Sequence, residues 1–299
     1  MNNVNQKRFC LSCNLAHYFR LHNMPISDWH IFLAMNVLGF NYFGVSNDSV
    51  EFLNGISGNS NDLLSNSLSS LALKKVNLDP DLQNESIWQN HFLLTVDDYY
   101  LPYNPFYDKK HNQRFVVAEA NADGKSTIFD AGYRHLSFHE LNQAIVAVFS
   151  LRGAPTLHDS NAIDHILMAQ MSNLLKDAKS RYIERIVEFA EDLAAKASRW
   201  EKAVFEIMYF CINRPAGPTI IRQEMGNALG ILGKRQKSRH LTEISRAFLA
   251  ISHQWKTIGN LFFKLSRNQT QKVAVRVYER ILRVAELEGD LVYEASCAC

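Results

Sequence analysis

Cysteine is scarce in this chain: Cys10, Cys13, Cys211, Cys297 and Cys299 are five among 299 residues. Their odd number and lack of framework spacing argue against a disulfide-stapled secreted protein and for a reducing compartment. No stretch approaches the roughly 20 apolar residues that span a bilayer. The opening Met-Asn-Asn-Val-Asn-Gln-Lys-Arg lacks a signal-peptide run. The expected location is cytoplasmic, with no membrane partner. An excess of one charge is also lacking: the net charge of +2 gives no general attraction to nucleic acid. The balance is uneven, with 11 Lys and Arg against 15 Asp and Glu over 1–159, net −4, and 21 against 15 over 160–299, net +6. A basic carboxyl-terminal half favours an acidic partner, modestly and with salt sensitivity. There is no internal repeat, and the one compositionally poor tract is the Ser-, Asn- and Gly-rich stretch 46–70.

The length suits one large domain or two ordinary ones. Residues 10–22 carry the apolar spacing of an amphipathic helix, and Ser27 or Asp28 caps a second over Trp29–Leu38. Gly39-Phe-Asn-Tyr-Phe-Gly-Val45 reads as a strand or pocket wall, and 46–70 as a loop with at most a short helix. His91–Asp97 is a buried strand, followed by the aromatic, proline-rich loop Tyr99–Tyr107. Arg114–Ala120 and Lys125–Asp130 flank Asn-Ala-Asp-Gly, a hairpin signal. Ser137 and Glu140 stand at capping-box spacing before a further helix. Beyond 160 the periodicity is helical, over Ala162–Leu175, Tyr182–Lys196, Ala203–Ile212, Ile220–Leu232, Leu241–Leu265 and Thr270–Glu288. Arg152-Gly-Ala-Pro155 supplies breakers at a domain boundary. Trp200 and Trp255 sit among apolar neighbours as core residues.

Cys10 falls where the first helix begins. Helix amino termini favour thiolate over thiol and can hold an oxyanion. A later histidine and aspartate around the hairpin, His111 and Asp130, complete a cysteine–histidine–aspartate set of the kind that works through a thioester intermediate. The bland alternative is a pair of buried structural cysteines. Cys13 lies three residues on, so only one of the two thiols can point at the histidine. Oxyanion donors would be the Cys10 N–H with Gln6 or Asn5. Tyr99, Tyr100, Tyr103 and Tyr107 could line a substrate pocket or simply cover the sheet edge. Zinc on Cys10, Cys13 and His17, or on Cys297 and Cys299, lacks finger-like spacing, so no metal is expected. The run Lys234, Arg235, Lys237, Arg239 suits an acidic partner or a solvated loop.

The segments Cys10-x3-Asn-Leu, Arg20-Leu-His-Asn23, Ile26-Ser-Asp28 and Leu38-Gly-Phe-Asn-Tyr-Phe-Gly44 together resemble the amino-terminal domain of the butirosin-type cysteine acyltransferases. The resemblance continues through Tyr99-Tyr-Leu-Pro-Tyr103, Lys109-Lys-His111, Phe115-Val-Val117 and Asp130. It extends more weakly to Gly217-Pro-Thr-Ile-Ile-Arg222 and the Trp255 helix. It implies an α+β, papain-like cysteine protease fold over 1–155 with an all-helical region over 156–299. It also implies transfer of an acyl group from a phosphopantetheine-loaded acyl carrier protein to an amine, without a cofactor; related proteins are amide synthases of polythioamide assembly. Cys10 matches the family's nucleophile, with His111 as acid and base and Asp130 orienting it. Three departures stand out. Arg114 occupies the place directly before the hydrophobic strand where the family commonly has histidine, Ala-Asn-Ala-Asp123 stands for Gly-Tyr-Asp, and Asp28 stands for Glu. The alternatives are a papain-like peptidase or thioesterase, and a non-catalytic docking protein. A homodimer is compatible with any of these.

Overall fold

The structure, a computed structural model, describes residues 9–44, 53–56, 60–77, 92–104, 107–109, 111–119, 125–152 and 159–297. It is a mixed α+β architecture with antiparallel sheets and a helical carboxyl-terminal region. The chain divides into two compact units, each discontinuous in sequence: Cys10–Met35 with Ser60–Ile166, and Met1–Phe9 and Asn36–Asn59 with Leu167–Cys299.

The first unit is built on a six-stranded sheet of β3 (Lys74–Asn77), β4 (Phe92–Asp97), β5 (Gln113–Glu119), β6 (Lys125–Phe129), β7 (Tyr133–Ser137) and β8 (Ile145–Arg152), in the order β3-β8-β4-β5-β6-β7. Neighbours pair antiparallel, with Leu94 opposite Val116 and Val117 opposite Phe129. Both faces of the central strands are buried, so β4 and β5 read as continuous apolar runs rather than alternating ones. One face, carrying Leu94, Val96, Val116, Ala118 and Ile128, packs with Leu141 and Ala144 of α4 (Phe138–Ala144). The other carries Phe115, Val117 and Phe149 and meets α1 (Cys10–Leu21). Helix α1 is buried almost all round, not along the single stripe that its amphipathic spacing predicts, because its polar Ser12, Asn14 and His17 are buried as well. Its Tyr18 hydroxyl accepts the Leu151 N–H at 2.9 Å. Burial raises the Tyr18 pKa, and this bond only partly offsets it. Helix α2 (Asp28–Ala34) is pinned by His30, whose Nδ1 accepts the Ser27 N–H at 3.0 Å and whose Nε2–H donates to buried Asp164 at 3.0 Å. A further helix, α3 (Ser60–Ser70), lies in the same unit.

The second unit pairs the hairpin β1 (Leu38–Tyr42) and β2 (Leu53–Ile56) with the helices α5 (Ser160–Lys196, from Leu167 onward), α6 (Lys202–Asn213), α7 (Pro218–Arg235), α8 (Arg239–Arg267) and α9 (Gln271–Cys297). Buried residues of α8 recur at Leu241, Ile244, Phe248, Ile251, Trp255, Ile258, Phe262 and Leu265, a three–four alternation that packs against α6, α7 and α9. At its centre Arg222 and Glu288 are both wholly buried. The guanidinium reaches Glu288 through Nε at 3.0 Å and Nη2 at 2.8 Å, and donates Nη1–H to the carbonyls of Gly39 at 2.7 Å and Gly55 at 3.0 Å. Trp255 Nε1–H completes the carboxylate at 2.7 Å. Each buried charge is thus paired and hydrogen-bonded.

Most expected elements are present with shifted ends, and Trp200 and Trp255 are core residues. The division at 155 differs from the observed units. The hairpin at 36–59 goes with the helical unit because Arg222 binds its carbonyls and Gly55 N–H donates to Ala216 O at 2.8 Å. The described residues of the tract 46–70 hold β2 and the eleven-residue α3, more than the short helix expected there. The helix expected from Ser137 is short: its capping box is present, but Ile145 begins β8. The two helices expected over 162–196 are one, α5. The Asn-Ala-Asp-Gly turn lies outside the described residues.

Candidate functional site

Asp130 follows β6, where the edge of β5 is left open, and it collects partners from three elements. Tyr103 donates its hydroxyl to Oδ2 at 3.0 Å, the Arg114 Nη2 lies 2.8 Å from the same oxygen, and Asn14 Nδ2 of α1 reaches Oδ1 at 3.5 Å. Asn14 also donates to Phe115 O at 2.7 Å and accepts the Ala131 N–H at 2.7 Å. Ala131 there adopts a left-handed φ of 49°, a conformation costing a non-glycine residue about 1–2 kcal/mol and here held by that bond. Arg114 Nε lies 2.6 Å from Asp98, whose carboxyl is 2% exposed. Burial raises the Asp98 pKa more than Arg114 and Asn112 lower it. Burial, with the adjacent Asp130 charge, also holds the Tyr103 phenol far above its ordinary value. Two carboxylates share one guanidinium in this cluster.

His111 is elsewhere. Its Nδ1–H donates to Asp97 at 2.7 Å, its ring stacks on Tyr99 at 4.3 Å, and its side chain is 66% exposed. Burial of Asp97 opposes ionisation, but bonds from His111 and the Tyr99 and Asn112 N–H groups outweigh it and lower the carboxyl pKa. The strand register explains the separation from Asp130. Val117 faces Phe129, so Asp130 falls beside Val116, five residues or about 16 Å along the strand from His111. The expected His111–Asp130 pair is therefore corrected to His111–Asp97, while Arg114 takes Asp130. Of the four tyrosines, Tyr103 joins Asp130. Tyr99 donates to Asp108 at 2.7 Å and, with Tyr100, surrounds His111. Tyr107 is exposed.

The side chain of Cys10, together with Asn5 and Gln6, lies outside the described residues; position 10 opens α1, one helical turn ahead of Asn14. Cys13 is half-buried, whereas every other residue from Leu11 to Phe19 is buried. One turn on, His17 Nε2–H donates to Glu119 at 2.5 Å, and its ring stacks on Phe129 at 3.9 Å with Tyr133 edge-on at 5.7 Å. Glu119 has no motif or spacing around it that marks a functional residue in the sequence. It is only the one charge closing the apolar run Phe-Val-Val-Ala. His17 stood out only as a possible zinc ligand, and among the described residues no three such side chains converge as a metal site.

Comparison with protein-family models and with curated proteins gives no match. Among the described residues no helix is long and apolar enough to cross a membrane.

Proposed function

We propose that this chain is a cysteine-dependent acyltransferase with a papain-like first unit, taking an acyl group from a carrier-protein thioester onto a thiol of α1 and passing it to an amine. The observation that carries the reading is the docking of the cysteine-bearing helix onto the face of the sheet at β5. Asn14 ties α1 at once to the β5 backbone, to Asp130 and to Ala131. The resemblance described above supplies the acyl chemistry, and it assigns the thiol to Cys10.

The pairing of Arg114 with Asp130 bears on the substrate class. Peptide cleavage expels an amine, which needs a proton from an acid such as an oriented imidazole. Thioester exchange expels a thiolate, a far better leaving group that departs without that help. With Asp130 engaged by a guanidinium and His111 by Asp97, the expected His111–Asp130 pair does not supply that proton, a loss that a thioester donor tolerates better than a peptide. The same guanidinium favours a second reading, a non-catalytic docking protein that keeps the scaffold.

Incubation with acyl N-acetylcysteamine thioesters and intact-protein mass spectrometry separates the two. Transfer predicts a gain of one acyl mass, lost in the Cys10→Ala/Cys13→Ala double variant and discharged as amide on adding an amine. An unmodified wild-type chain across short, long and aromatic acyl donors rejects the enzyme reading in favour of docking.

A further inference from the structure

We infer that Cys13, His17 and Glu119 form a thiol–imidazole–carboxylate relay in which Cys13 is the reactive nucleophile. The acyl cargo of this relay rests on the function proposed above; the activation of the thiol does not.

Three observations carry it. Cys13 is the one residue between Leu11 and Phe19 that retains solvent exposure, so a reagent can reach α1 there. His17 is one helical turn later, a spacing that brings Cβ atoms to about 5–6 Å. Its ring is 4% exposed, yet Nδ1 has no hydrogen-bond partner among the described residues. Glu119 accepts from Nε2, so in the neutral ring the proton sits on Nε2 and Nδ1 presents its lone pair. Helical side chains lean towards the amino terminus, which sets the His17 ring towards the turn that bears Cys13, and Nδ1 is its nitrogen nearer Cβ. The Phe129 stack and the Tyr133 edge hold the ring in that plane. A relay needs each group to meet only the next, not three side chains around one point. Such contacts commonly close only when substrate is bound.

The step balances within the protein and the donor. The Cys13 S–H proton passes to Nδ1 as Sγ adds to the thioester carbonyl. Collapse of the adduct breaks the carrier C–S bond, and the carrier thiolate takes the proton back. An amine then adds to the Cys13 thioester, gives a proton to Nδ1, and the departing Cys13 sulfur recovers it. Glu119 positions the imidazole and stabilises its charged form, the part a carboxylate plays in such sets.

The test is the pH–rate profile of iodoacetamide alkylation at Cys13. It is read by peptide mass spectrometry on the full chain, wild type and with Glu119→Gln or His17→Gln, folding being checked by circular dichroism. In the native wild type Cys13 should react at pH 7 about tenfold faster than the same cysteine in the urea-unfolded chain, equivalent to a thiol titrating one pH unit lower. Both variants should lose most of that gain. A native rate no faster than the unfolded one overturns the inference even where the variants fail to fold, as does an unchanged profile in folded variants. Single substitutions then separate it from the acyl reading. An acyl adduct lost in Cys13→Ser supports the relay; one lost in Cys10→Ser but retained in Cys13→Ser overturns it and leaves acyl transfer standing. An activated Cys13 that takes no acyl group from any thioester keeps the relay and removes the acyl reading.

Discussion

Arg222 and Glu288 have no exposed side-chain surface, and removing one partner strands the other's charge. Arg222→Met should therefore cost about 3–5 kcal/mol of stability, seen as a lower urea midpoint. Asp97 and His111 make the opposite case, a pair whose imidazole stays open to solvent. His111→Ala should leave thioester adduct formation within about twofold of wild type, a shift well below the 10²–10⁴ typical of losing an acid–base group. Asp97 has a lowered folded pKa. Its contribution to stability is therefore full above the ordinary carboxylate value and is lost as pH falls through the depressed folded one. Wild type and Asp97→Asn should converge in unfolding midpoint at low pH and separate at neutral pH, which a pH series of thermal melts reads directly. At this scale the sequence exposed the residue types but not their pairing. His111 and Asp130 were both legible as catalytic types, yet one strand register separates them and hands Asp130 to Arg114.

Elements were legible where local chemistry dominates. Ser137 and Glu140 announced the amino terminus of α4, and the structure has Ser137 Oγ accepting the Glu140 N–H at 3.2 Å while Glu140 accepts the Ser137 N–H at 2.7 Å. Ser137→Ala should cost about 1 kcal/mol, measurable by chemical denaturation. What stops α4 at Ala144 is not local. Residues 145–152 are taken into the sheet between β3 and β4, and that pairing overrides the helical spacing. Strand β2 was hidden for the same reason: Leu-Asn-Gly-Ile carries little strand signal, and its place depends on α7. A Cβ on Gly55 would stand 2.6 Å from Pro218 Cα. Gly55→Ala should cost about 1–3 kcal/mol, as overpacking does, because backbone on both sides has to shift.

For the whole molecule, the discontinuous division sharpens the charge contrast. The sheet unit holds 9 Lys and Arg against 14 Asp and Glu, net −5, and the helical unit 23 against 16, net +7. With an acidic carrier as donor, association should weaken steeply as salt rises from 50 to 500 mM, followed by titration calorimetry; an affinity indifferent to salt speaks against a charge-guided carrier. Composition and periodicity by themselves determined a mixed α+β half and a helical half, the α8 core stripe and the apolar strands of the sheet. These depend on burial of near neighbours in the chain, which pattern records. Only the tertiary structure decided that 36–59 belongs with the helices, that Arg114 holds Asp130, and that His17 finds Glu119 102 residues away. Each rests on register and on long-range pairing of polar groups, and the free energy of such pairs depends on which partner arrives, a quantity no local spacing encodes.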